Sequence, residues 1–195
     1  MPWADKQTGL SPEVWSRAMG WYGMALVEVL DWMPADRPDR PERAELIRVL
    51  QKTATAILAN QDKGTGLWWE VMDKGGQAGN FTEASASCMF VYALAKGVRM
   101  GYLPVSDAAS ARRGWEGIVK TFVTTGPDGL EMLTGTIKGA GLGGVPYRSG
   151  TYTYYIGERV IANDGKGIGA FLMAGSEMEL AAKAGQAKGK QGEMR

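Results

Sequence analysis

A chain of 195 residues is long enough for one well-buried domain or for part of a larger one. Lys and Arg total 22 against 21 Asp and Glu, a formal net charge of +1, so no broad field draws the chain to nucleic acid or an anionic membrane. The longest apolar run, CMFVYALA (residues 88–95), falls well short of the roughly 20 residues of a membrane span. There is no histidine, and the one cysteine, Cys88, lies inside that apolar run. Within this chain that excludes a Ser-His-Asp or Cys-His device, an imidazole base, a histidine metal site and a disulfide framework. No secretory signal precedes the first structured segment, and the default compartment is the cytoplasm.

In chain order, DKQTGL (residues 5–10) is followed by SPEVWSRAMGWYGMALVEVLDWMP, where Ser11-Pro12-Glu13 predicts a helix start with Ser as cap and Pro at the first helical position. From Trp21 to Met33 only Glu28 and Asp31 are charged, the pattern of a helix buried on most sides. In PERAELIRVLQKTATAILANQ the apolar residues Leu46, Ile47, Leu50, Ala54, Ile57 and Leu58 recur at three- and four-residue spacing, which predicts a one-sided surface helix. DKGTGL (62–67) then repeats the opening motif, and TEASASCMFVYALAKGVRMGYLP gives a second strongly apolar helix. ASARRGWEGIVKTFV carries another one-sided stripe through Ala111, Trp115, Ile118, Val119 and Phe122. A weaker echo, PDGL, stands at 127–130. Glu131 to Ile161, with its glycines and TYTYY, predicts a long irregular or β-hairpin loop. NDGKGIGAFLMAGSEMEL starts a last apolar helix, and the Ala-, Gly- and Lys-rich residues 182–195 predict a frayed tail.

One-sided and all-round apolar helices thus alternate at a period of about 60 residues, which implies two concentric layers. The predicted fold is all-α: an α/α toroid of helical hairpins with about three hairpins present, residues 1–181 forming part of a closed barrel. The ends of the inner helices and the loops before them then meet near the axis.

Trp15, Arg17 and Trp21 lie within seven positions at such a mouth. Either both indoles are core and Arg17 pairs with a carboxylate, or the indoles stack on a sugar ring while Arg17 binds its carboxylate. Asn80 and Glu83 have the spacing of a capping box. The helix dipole favours an ionised carboxylate at Glu83, which suits it to accept sugar hydroxyls rather than to act as a general acid. Tyr147, Arg148, Tyr152, Tyr154 and Tyr155 could line a rim, although aromatic cross-strand pairs of a hairpin explain the tyrosines nearly as well. AGLGGV lacks the Lys-Ser/Thr of a P-loop and reads as a flexible loop.

Four segments in order, WSRAMGWYGMALVEVLDWMP, GNFTEASASCMFVYALAKGVRMGYL, GLGGVPYRSGTYTYY and NDGKGIGAFLMAGSEMEL, resemble the C-terminal half of unsaturated rhamnogalacturonyl hydrolases of glycoside hydrolase family 105, with the unsaturated glucuronyl hydrolases of family 88 as cousins. The resemblance covers about residues 3–181. It implies a six-hairpin α/α barrel of roughly twice this length. It also implies hydration of the 4,5 double bond of a terminal unsaturated uronic acid in pectin-derived oligosaccharides, by acid/base chemistry with no metal or organic cofactor. Trp15, Arg17 and Trp21 match the family's Trp-x-Arg-x-x-x-Trp pocket segment, and Glu83 matches the acidic residue that opens the next inner helix; Tyr154 joins them as a candidate substrate contact. The family's catalytic aspartates lie upstream of these motifs, so no catalytic residue is expected in this chain. Arg17-Ala18-Met19-Gly20 stands where many members have Arg-Gly-Asn-Gly, and Gly165 replaces a usual proline. The contrasting expectation is a non-catalytic helical-repeat module that binds a glycan or a protein. An open barrel edge would expose inner-helix surface and favour self-association.

Overall fold

A computed structural model describes residues 1–34 and 41–193, with side chains to residue 184. Its helices are α1 (Ser16–Asp31), α2 (Glu42–Ala59), α3 (Ala84–Arg99), α4 (Ala108–Phe122), the short α5 (Tyr152–Ile156) and α6 (Gly165–Glu193). Two small antiparallel pairs accompany them. In the first, β1 (Val123–Thr125) joins β2 (Glu131–Leu133), with Val123 opposite Leu133. In the second, β3 (Thr136–Ile137) joins β4 (Val160–Ile161), with Thr136 opposite Ile161.

Helix α3 is the centre of the packing, flanked by α1 on one side, α6 on the other and α4 outside. Every residue from Ala84 to Gly97 is buried, and burial of side chains such as Phe90, Met89 and Leu94 stabilises the fold by roughly 1.5–3 kcal/mol each. Helices α2 and α4 form the outer layer. Leu50, Thr53, Ala54 and Ile57 are the buried stripe of α2, and Ala111, Gly114, Gly117, Ile118 and Phe122 that of α4, as three- and four-residue spacing requires. Trp68 closes the space between layers: its indole N–H donates to the Ile57 carbonyl at 2.7 Å, and its ring meets Phe90 edge-on at 5.3 Å.

The repeated motif folds twice into the same turn. Thr8 N–H donates to Asp5 Oδ1 at 2.7 Å and Thr65 N–H to Asp62 Oδ2 at 2.8 Å, while Gly9 and Gly66 take φ of +73° and +76°, a region open to glycine at little cost. Only the second turn is packed. Leu67 is buried, whereas Leu10 is exposed. At the second turn α4 comes so close that a Cβ on Gly117 would strike the Thr65 carbonyl.

Three sequence expectations change. Helix α1 starts at Ser16 with Trp15 as its N-cap residue, not at Ser11. The reason is pairing: Ser16 N–H donates to the Glu70 carbonyl at 3.0 Å and Met72 N–H to Val14 at 2.9 Å, which holds residues 14–15 extended. Second, α1 is not buried on most sides. Trp21, Tyr22, Val29 and Trp32 are exposed, Trp32 to 87%, because α2 and α3 cover only two sides of the helix; the all-round burial belongs to α3. Third, TYTYY is the helix α5 rather than a hairpin strand, with Tyr155 N–H bonded to Thr151 O at 3.1 Å. The expected frayed tail falls mainly on residues whose side chains lie outside those described, although the α6 backbone continues to Glu193. Among the described residues no helix is long and apolar enough to cross a membrane.

Candidate substrate-binding site

The N-terminal ends of α1 and α3 are joined by a girdle of short extended segments. Trp15 bridges Val71, and Trp69 bridges Thr82. Glu70 N–H donates to Phe81 O at 2.8 Å, Glu83 N–H to Trp68 O at 2.9 Å and Ala84 N–H to Gly135 O at 2.9 Å. These bonds satisfy backbone groups that helix starts leave without partners and bring Trp15, Arg17, Glu70, Glu83 and the α5 tyrosines together.

The Trp15 ring lies over Tyr155 with centroids 5.8 Å apart and planes 22° from parallel. Tyr155 in turn tilts against Tyr154 at 5.2 Å, and the Arg17 guanidinium carbon sits 5.8 Å from the Trp15 centroid. Trp21, one and a half turns further along α1, is 47% exposed. Tyr154 is partly buried, and its hydroxyl accepts the Gly141 amide at 3.2 Å; burial, then the Glu158 carboxylate, pushes that hydroxyl's pKa up. At the edge, Lys74 Nζ bonds Glu13 Oε1 at 2.6 Å and lies 5.6 Å from the Tyr152 ring centroid. Tyr152 donates to Ala78 O at 3.0 Å. Arg148 Nε donates to Gly143 O at 2.9 Å and folds the Gly-rich loop, while Tyr147 is exposed.

Arg17 and Glu83 lie beneath this aromatic layer and not in it. They pair at 3.0 Å with side chains 1% and 0% exposed. Arg17 also donates to Ser85 Oγ at 2.7 Å and to Ile137 O at 2.6 Å. Glu83 is the N-cap of α3: its Oε2 accepts Ala86 N–H at 2.6 Å, and its Oε1 accepts Ile137 N–H at 3.0 Å. Its remaining capacity is taken by Ser85. Where the sequence led to a direct ligand contact for this pair, the structure shows an ion pair closed to water. The guanidinium and carboxylate are turned inward, where each is the other's counter-charge and together they tie α1, α3 and β3 into one unit. The capping box is corrected too, since Glu83 is itself the cap and Asn80 instead bonds the backbone of Val71 and Lys74.

Glu70 is the residue that sequence reasoning missed. Its side chain is fully buried, and neither carboxyl oxygen has a hydrogen-bond partner. Burial, then the nearby Glu83 carboxylate, pushes its pKa up to about 9, against the opposing pull of Arg17 and Trp15. A signal was present in LWWEVMD: read as an extended segment with alternating faces, Glu70 falls on the same side as the buried Trp68.

An inner layer of helices centred on the buried α3, with α2 and α4 outside it, is the layered arrangement of an α/α-toroid protein. A family model described as Glycosyl Hydrolase Family 88 matches residues 1–182. The chain belongs to that family. A glycoside hydrolase from family 105 of C. acetobutylicum has 44% sequence identity and superposes with a TM-score of 0.86 over 92% of this chain and 49% of its own. The present chain thus spans about half the length of that solved relative. The 24.9 kDa protein in the picA locus of Rhizobium radiobacter is 40% identical over 187 residues, which are 93% of this chain and 78% of that one. An unsaturated glucuronyl hydrolase from Bacillus sp. GL1, responsible for glycosaminoglycan degradation, shares the fold at 13% identity, with a TM-score of 0.50 over 75% of this chain and 38% of its own. The α/α-toroid class read from the hairpin pattern is the class of these structures.

Proposed function

We propose that this chain is the substrate-holding half of a glycoside hydrolase that hydrates the 4,5 double bond of a terminal unsaturated uronic acid in pectin-derived oligosaccharides. The family match supports the reaction class, and one structural observation carries the assignment of the site. Trp15 and Tyr154, both partly exposed, stand at the mouth of the inner layer and pack on the buried Tyr155, and Trp21 is exposed further along α1. Flat aromatic faces match the apolar face of a pyranose ring. Arg17 and Glu83 act from below by fixing the helix ends that present those faces. Residues 1–181 form the C-terminal half of the barrel in this reading.

In the reaction a carboxylic acid protonates the ring alkene and water adds to the neighbouring carbon. The resulting hemiketal opens and releases the rest of the glycan. We assign that acid to a part of the toroid outside the matched half, since this chain covers 49% of the C. acetobutylicum relative. Glu70 is not the acid, because its burial keeps it from a substrate. The Trp21→Ala variant tests the site: affinity for an unsaturated galacturonyl-rhamnose disaccharide, measured by isothermal titration, falls by about 10-fold, a loss of roughly 1.4 kcal/mol, with the melting temperature unchanged. Unaltered affinity in this variant contradicts the assignment.

A further inference from the structure

A cleft of about 390 Å³ lies between the end of α2, the second repeat turn and the loop that follows Met72, and it shares no lining residue with the Trp15 cluster. Its size is that of a small-molecule site, for which about 300–1,000 Å³ is usual. The apolar wall is the partly buried Trp69 with the buried Met72, and the polar wall is Asn60, Asp62 and Lys63. These walls are fixed in advance. Trp69 is bridged to Thr82 through the backbone, and Gly75 backs onto its indole so closely that a Cβ there would stand 3.0 Å from Nε1. The loop that carries Gly75 is closed by Asn80, whose side-chain amide donates to Val71 O at 2.9 Å and to Lys74 O at 2.8 Å. On the other side Gln61 Nε2 ties the turn to α4, donating to Gly66 O at 2.8 Å and to Ser110 O at 2.9 Å. A ligand entering such a cleft is spared much of the cost of ordering it.

The polar wall is rich in acceptors. The Thr65 amide and hydroxyl both donate to Asp62 Oδ2, at 2.8 and 2.7 Å, which leaves acceptor capacity at Oδ1. The Thr65 hydroxyl also holds the Asp62 carboxyl below its usual range, against the opposing effect of burial. Asn60 Nδ2 is committed to Ala56 O at 2.9 Å, so the side-chain carbonyl oxygen remains as an acceptor. Helix α2 ends here at Ala59, which adds the negative end of its dipole. A flat indole beside such acceptors matches a ring with one apolar face and hydroxyl donors at its edge. An anionic sugar would meet Asp62 and the helix end, and among the described lining residues there is no arginine to grip its carboxylate. A cation gains little, because Lys63 balances Asp62.

We propose that this cleft binds a neutral pyranose, its ring stacked on Trp69 and its hydroxyls donating to Asp62 and Asn60. The site goes beyond the uronate pocket and stands whether or not that reading does. The test titrates isotope-labelled protein with methyl galactopyranoside and follows the Trp69 indole N–H resonance by NMR, assigned through its loss in Trp69→Leu or, should that variant not fold, by backbone connectivity. The resonance shifts and saturates with a Kd on the order of 1 mM, and it does so equally in Trp21→Ala. Galacturonate and tetramethylammonium, the anionic and cationic probes, bind at least about 10-fold more weakly by the same signal. A resonance that stays fixed up to about 50 mM galactoside, one that responds as strongly to either charged probe, or one whose shift disappears in Trp21→Ala overturns the proposal.

Discussion

Replacing Arg17 by Met keeps most of the side-chain volume and removes the charge. In the wild type the guanidinium donates to Glu83, Ser85 and the Ile137 carbonyl, and the ion pair is 1% and 0% exposed. After substitution Glu83 keeps its amide donors from Ala86 and Ile137 but has lost its counter-charge in a site closed to water. Removing one partner of a buried pair costs about 3–5 kcal/mol. The Ile137 carbonyl loses its guanidinium donor in addition, about 1 kcal/mol more. At about 2–4 °C per kcal/mol for a chain of this size, the melting temperature drops by on the order of 10 °C. Urea denaturation followed by far-UV circular dichroism measures the loss directly. The double variant Arg17→Met/Glu83→Gln recovers about half of it or more, because it removes both charges together. An Arg17→Met protein within about 1 kcal/mol of wild type, but unable to bind uronate, would refute the buried pair and restore Arg17 as a ligand contact.

Two further outcomes follow from the packing. Gly117→Ala drives a methyl into the Thr65 carbonyl of the second DKGTGL turn and lowers stability by about 1–3 kcal/mol; a neutral effect by the same denaturation assay would show that α4 and the turn can separate at no cost. The apolar stripe of Trp21, Tyr22, Val29 and Trp32 on α1 favours self-association, so sedimentation velocity shows a mass that rises with concentration in the wild type and a monomer for Val29→Glu/Trp32→Glu. A wild-type monomer at every concentration contradicts this.

The helices were legible because each outer one writes a one-sided stripe, as in Leu50, Ala54 and Ile57, and because the repeated Asp-Lys-x-Thr-Gly-Leu turn marks the entry to an inner one. The start of α1 was not legible. Ser11-Pro12-Glu13 is a sound local start signal, but bonds to Glu70 and Val14, made across more than fifty residues of sequence, hold the chain extended to Trp15. TYTYY misled for a related reason, since aromatic residues favour strands only where a neighbouring strand exists to pair with them. The site residues were found as residue types but not as orientations. Spacing put Arg17 and Trp21 on one face of a helix, yet Arg17 faces Glu83 within while Trp21 faces outward, because the partner that claims the guanidinium comes from another helix. Glu70 went unseen because a single acid between aromatic residues reads as a surface position until its segment is known to be extended and covered.

The central claim is tested most directly by isothermal titration of the protein with a matched pair of galacturonyl-rhamnose disaccharides, one carrying the 4,5 double bond and one saturated. The proposed site predicts that the flattened unsaturated ring packs on the Trp15 and Tyr154 faces and binds at least about 10-fold more tightly than the saturated one, a difference of roughly 1.4 kcal/mol. Equal affinity for the two sugars would contradict the account and favour a helical-repeat module that binds glycans without acting on unsaturated uronates.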